Sequence, residues 1–300
     1  MASPVELIPL AGSVYVIPGN PNVGVITCGP RAVLIDTGGD RDRGRALLRA
    51  LTAAGLELAA VALTHSHADH MGGCAYLVQE TGVPVYAPDR ETAFVEHPLY
   101  ESSMLLSGAA PWKEMSGKFL LATPVPVSGR LSEGRASLGG LEVTVYSLPG
   151  HSMGSIGLGF GEVLFAGDAV FAPEVLQKFA IPYNVDMRQL LESHAKIRSL
   201  PHTVVVPGHG DPASPEIADA NRDAAAGTIQ RVLDAVAQGD ASSDTIVARV
   251  CDAVETSIPN PAIYYLYHAG ALACLSYLFE QGLVKTAISG NRVVWVRCEK

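Results

Sequence analysis

Four times along this chain an apolar, strand-like run ends in a side chain able to bind a metal ion. VALT leads into HSHADH, which supplies His65, His67, Asp69 and His70. VTVYSLPG leads into His151, EVLFAG into Asp168 and TVVVPG into His209. Small residues and glycines at these junctions let backbone and loop pack close to a shared point. Imidazole and carboxylate are the ligands of a zinc ion that keeps one position open. Seven such ligands are too many for one tetrahedral ion and suit two, with one carboxylate bridging. A solvated loop, or histidines capping the next helix, would account for THSHADH alone but not for three later ligands in the same setting. Five of the nine histidines belong to this set. His97, His194, His202 and His268 have no such context and read as ordinary.

Bulk properties limit the alternatives. The 300 residues allow one large domain or a main domain with a small one. A net charge of −9 weighs against a general binder of nucleic acid or anionic membranes. MASPVELIPL shows no signal-peptide pattern, and no run is read as reaching the ~18 apolar residues of a membrane helix. Cysteines 28, 74, 251, 274 and 298 form no CxxC pair. Reduced thiols and a cytoplasmic location are expected.

Strand patterns SVYVIP, VGVITC and AVLID open the chain, followed by a helix from about 40 to 54 whose Leu47, Leu48 and Leu51 share a face. LAAVALT, a short helix at about 72–81, and VPVYAP come next. Residues 89–122 break the rhythm with an overlong connection rich in aromatic and Met side chains. LEVTVYSLP, SIGLGF and EVLFAG resume the strands, before a helix at about 186–199 and TVVVP. Residues 213–300 read as three helices and a β-hairpin, a small winged-helix-like unit. It holds ten acidic against seven basic residues, which favours a structural or dimerising role over nucleic-acid binding.

THSHADH, LIDTGG (34–39), PGHS (149–152), AGD (166–168) and PGHG (207–210) together resemble the metallo-β-lactamase superfamily. The resemblance implies an α/β fold, a four-layer αββα sandwich over residues 1–212, with 89–122 as an insert or lid. It implies that His65, His67 and His151 hold one metal, that Asp69, His70 and His209 hold a second, and that Asp168 bridges them. Asp36 would bond a ligand histidine or a nearby backbone donor, though a plain turn aspartate also fits LIDTGG. The cofactors implied are two divalent ions, zinc by ligand type, with iron or manganese as alternatives. A hydroxide shared by the two ions would attack a small acyl substrate such as a thioester or lactone, with Asp69 and Asp168 as the catalytic carboxylates.

Departures narrow the branch. Asp168 resembles the glyoxalase II, lactonase and RNase branches rather than true β-lactamases. Phe171 stands where acyl-homoserine lactonases carry Tyr, and His67 argues against oxygen-reducing flavodiiron chemistry. Same-fold alternatives are a phosphodiesterase or ribonuclease and a mononuclear iron persulfide dioxygenase. A metal-sensing regulatory module is the non-enzyme alternative. Phe171, Trp112 and Tyr183 are the expected substrate-binding residues. Met104, Leu105, Leu106, Met115 and Phe119 would line the same pocket or else pack the insert onto the body. Lys178 is open to an anionic substrate end or to solvent, and Cys74 reads as a buried small residue. The expected partners are a small-molecule substrate and a second copy of the chain, with neither nucleic acid nor membrane.

Overall fold

The computed structural model describes residues 5–298, and two facing sheets form its centre. The first sheet contains β1 (Ile8–Ala11), β2 (Val14–Ile17), β3 (Val23–Cys28), β4 (Arg31–Ile35), β5 (Glu57–Ala62), β6 (Val85–Pro88) and β7 (Gly129–Leu131), in chain order. It is antiparallel up to β4 and parallel from there. The second contains β8 (Gly134–Leu138), β9 (Leu141–Ser147), β10 (Ile156–Phe160), β11 (Val163–Gly167) and β12 (Val204–Pro207). Its one parallel pair is β11 with β12.

Alternation explains the layers. In β4, Val33 and Ile35 point between the sheets, where they meet Val145, Leu158 and Phe165. Ala32 and Leu34 point outward, onto α1 (Arg41–Ala53), α2 (Ala68–Met71) and α3 (Cys74–Thr81), through Leu47, Leu51, Met71 and Leu77. A strand covered on both faces reads as a continuous apolar run, as RAVLI does after its first residue. Beyond the insert helices α4 (Thr92–Glu96) and α5 (Leu99–Leu105) comes α6 (Pro173–Leu176), then α7 (Met187–Ser199) and α8 (Ile217–Ala237). Ile197 of α7 and Ile217 of α8 cover the outer face of the second sheet. The result is an αββα sandwich. Asp40 and Asp186 cap α1 and α7, accepting from the backbone of Arg43 and Gln189 at 3.0 and 2.9 Å.

The tail contains α8, α9 (Ser243–Ala253), α10 (Pro261–Glu280) and a hairpin of β13 (Val284–Ser289) with β14 (Arg292–Arg297). Its core is shared with the sandwich part, since Ile181, Met187 and Leu190 pack among Val232, Val250 and Leu275. One reading of the sequence needs correction. The α10 stretch is long and apolar enough to cross a membrane, with a mean hydropathy of 1.3 over 18 residues. It is apolar around most of its circumference because it serves two cores. Tyr267, Ala271 and Leu275 join α8 and α9, whereas Tyr265, Leu266 and Ala269 meet the insert.

Candidate metal centre

The four strand ends deliver their side chains to one place. His65 and His67 lie on the loop after β5, and Asp69 and His70 on α2. His151, Asp168 and His209 follow β9, β11 and β12. Ligand atoms fall within 4.8 Å of one another in three groups: His65, His67 and His151; His65, His70 and Asp168; Asp69, His70 and His209. Asp168 lies between, with Oδ1 3.2 Å from His70 Nε2 and Oδ2 3.5 Å from both His151 Nε2 and His209 Nε2. Gly208 makes this possible, because a Cβ there would collide with Asp168 Oδ1.

Each imidazole presents one nitrogen to the cluster and the other to an oxygen outside it. His70 Nδ1 is 2.8 Å from Asp36 Oδ2. His65 Nδ1 is 3.0 Å from Thr64 Oγ1, which donates to Asp36 Oδ2 at 2.8 Å. His151 Nδ1 is 3.1 Å from the Tyr183 carbonyl, His67 Nε2 is 3.5 Å from Glu101 Oε1, and His209 Nδ1 pairs with Asn20 Oδ1. Such partners fix tautomer and ring orientation. Asp36 does more than turn the chain. At φ 61 it occupies the left-handed region, and it also accepts from the Thr64 backbone at 2.8 Å.

Residues at the centre fit cations. Among the described residues, His65 Nε2, His70 Nε2 and Asp168 Oδ1 are buried without a hydrogen bond. Orphaned acceptors of this kind cost roughly 1–3 kcal/mol each, unless a cation uses them. Burial holds His65 well below the imidazole range and brings His151 down to about 4, so both are neutral at pH 7. Burial works the other way on Asp168, but His70 and His209 outweigh it and keep the carboxyl well below its usual range. His209 is raised to about 9, the pull of Asp168 overcoming burial. A bound cation would displace that proton.

Two carboxylates that the sequence did not single out belong here. Glu91 accepts from Ser66 backbone and hydroxyl, from the Ser152 hydroxyl at 2.8 Å and from Gly154 N at 2.6 Å. It thereby ties the His65–His67 loop to the His151 loop. Glu101, on α5, holds His67 and accepts from the Tyr183 hydroxyl at 3.2 Å. Neither glutamate sits in a motif, and the insert holds several other charged residues, so nothing in the sequence marks these two. Asn221 of α8 grips the Phe171 backbone from both sides, at 2.9 and 2.8 Å.

A cavity of about 370 Å³ opens over the cluster, lined in part by Phe171, Tyr183, Lys178, Leu105 and Phe119. Trp112, expected at the substrate, does not line it. Trp112 is 44% exposed, and its ring is held instead by an edge-on contact with Tyr265 of α10 at 5.8 Å. Met115 and Leu106 are buried where the insert meets α10, and Met104 also lies outside the cavity lining. Cys74 is buried in the core under α3, where desolvation pushes its thiol up to about 12.

A family model described as "Metallo-beta-lactamase superfamily" matches residues 16–209. "Probable metallo-hydrolase YqgX" of Bacillus subtilis (strain 168) is 26% identical over 184 residues, 60% of this chain and 80% of that protein. A "Hydroxyacylglutathione hydrolase" of Methylobacillus flagellatus is 30% identical over 127 residues, 42% of this chain and 39% of that one. The chain thus spans well under half the length of the second relative. A metallo-beta-lactamase family protein from Thermus thermophilus superposes with a TM-score of 0.70 at 22% identity, over 97% of each chain. That likeness is one of fold.

Proposed function

This chain belongs to the metallo-β-lactamase superfamily, and on that footing we propose that it is a metal-dependent hydrolase of a small acyl ester, thioester or lactone. In this reading His65, His67 and His151 would hold one divalent cation and Asp69, His70 and His209 a second, with Asp168 within reach of both groups. The single observation that carries it is the convergence of three ligand groups whose imidazoles are each oriented from outside. Two such cations supply an acidified water and Lewis acidity toward the attacked carbonyl. The imidazole-rich set suits zinc, with iron and manganese to be told apart by assay.

The protein's own groups supply the rest. Asp69 lines the cavity with a third of its side chain accessible, and its Oδ2 is 3.2 Å from His209 Nε2. It orients the attacking water and receives its proton. Asp36, Glu101 and Asn20 hold the imidazoles still, so that little reorganises as charge develops on the attacked oxygen. Phe171 stacks on His209 with ring centroids 5.8 Å apart and screens that side of the cluster. Aside from histidines, Lys178 is the one basic side chain lining the cavity among the described residues, which supports a small substrate over nucleic acid. The hydroxyacylglutathione hydrolase likeness supports a thioester.

Metal should be quantified per chain in protein purified without added metal. Thioester, lactone, β-lactam and bis-p-nitrophenyl phosphate substrates should then be screened. Two zincs per chain with thioester or lactone turnover is the expected result. One iron with sulfur-dependent oxygen uptake would replace the hydrolase reading.

A further inference from the structure

Apolar side chains make up much of the lining of the cavity over the cluster. Away from the ligands its walls include Leu105 and Leu120 from the insert, Val175 and Leu176 from α6, and Ile263 and Leu266 from α10. Lys178 is exposed, as are Phe119 and Phe179 beside the opening. Resting on the hydrolase reading, we propose that the substrate is an ester or thioester of a medium-chain apolar carboxylic acid. Its carbonyl lies at the His/Asp cluster and its chain in the chamber between α6, α10 and the insert. A glutathione carrier would bring two carboxylates and an ammonium. One exposed lysine cannot match these, and burying them against leucine and isoleucine is unfavourable. An alkyl or aryl acyl group instead gains from leaving water. In the reaction, water oxygen bonds to the carbonyl carbon and the carbon–sulfur or carbon–oxygen bond breaks. The departing thiol or alcohol takes one proton of the water, and the other stays with the carboxylic acid.

The test uses the metal-loaded full chain and thioesters of one thiol, acylated from acetyl to dodecanoyl, beside S-lactoylglutathione. kcat/KM should climb about fourfold per added methylene until the chamber is full. Ile263→Trp, at a partly exposed position, should move that plateau to shorter chains. Calorimetric titration with decanoate should show binding that Ile263→Trp weakens. A flat chain-length profile, or S-lactoylglutathione as the best substrate, overturns the proposal while leaving the hydrolase reading standing. If no thioester, ester or lactone turns over, the hydrolase reading falls instead. Decanoate binding weakened by Ile263→Trp would then still support the apolar chamber, and its absence would overturn that too.

Discussion

Asp168 offers one carboxylate oxygen to His70 and the other to His151 and His209. Asp168→Asn keeps the size, removes the charge and turns one oxygen into a donor facing imidazole nitrogens. The variant should fold, bind one cation fewer on elemental analysis, and lose at least ~10² in kcat/KM. Glu101→Gln weakens the hold on His67 without emptying the space. Metal affinity by chelator competition should fall roughly 10- to 100-fold with the far-UV spectrum unchanged. His194, which is not one of the ligand set, gives a pH signature of its own. Its Nε2 is 3.0 Å from the Ala169 carbonyl, and burial lowers its pKa to about 4. The unfolded chain protonates near pH 6.5, where the folded one does not. The contribution to stability is therefore present above pH 6.5 and lost as pH falls toward 4. Between pH 6.5 and 5 the loss is about 2 kcal/mol. His194→Asn should flatten that part of the urea-unfolding profile. At this scale the histidine and aspartate cluster was legible because each of its residues stands at the end of an apolar strand-like run, in motifs that resemble a known family. Glu91, Glu101, Asn20 and Asn221 were not, since each acquires its partner only when distant segments meet.

Helix α10 is the element on which the most depends, facing one core with Tyr267 and Leu275 and the insert with Leu266. Gly270 lets it approach the loop that carries Tyr183. A Cβ there would lie 2.7 Å from the Pro182 carbonyl oxygen, a backbone atom that can move only with its loop. Alanine is the better helix former by about 1 kcal/mol. Even so, Gly270→Ala should lower stability by about 1–3 kcal/mol through overpacking, read from the denaturant midpoint. Long elements such as α1, α7 and β9 were legible from periodicity. The insert was not, because Pro98 and Pro111 divide it into pieces such as α4 and α5, of five and seven residues, too short to show a repeat. Strands β1, β7 and β8 were missed because they are short and bury at most one residue each, so little alternation marks them.

For the molecule as a whole, residue 212 marks a change of composition but not a break in packing. Ile181, Met187 and Leu190 lie in the same core as α8, α9 and α10. A chain ending at residue 212 would also lose the Asn221 grip on Phe171. It should show no cooperative thermal transition by circular dichroism, whereas the full chain should melt in one step. The layered sandwich was legible in the alternating strands together with the family resemblance. The chamber was legible in part, since Leu105, Phe119, Phe171 and Tyr183 were expected at a pocket and line it, but its α6 and α10 walls come from stretches far apart in the chain. The origin of the ligands sets an order in time. His65, His67 and His151 are made early, but His209 follows β12, the last strand to join either sheet of the sandwich. On the ribosome, the second half of the centre cannot exist until that strand has emerged and docked beside β11. The α10 wall of the chamber arrives later still, so every ligand is synthesised before the helices that share their core and enclose them.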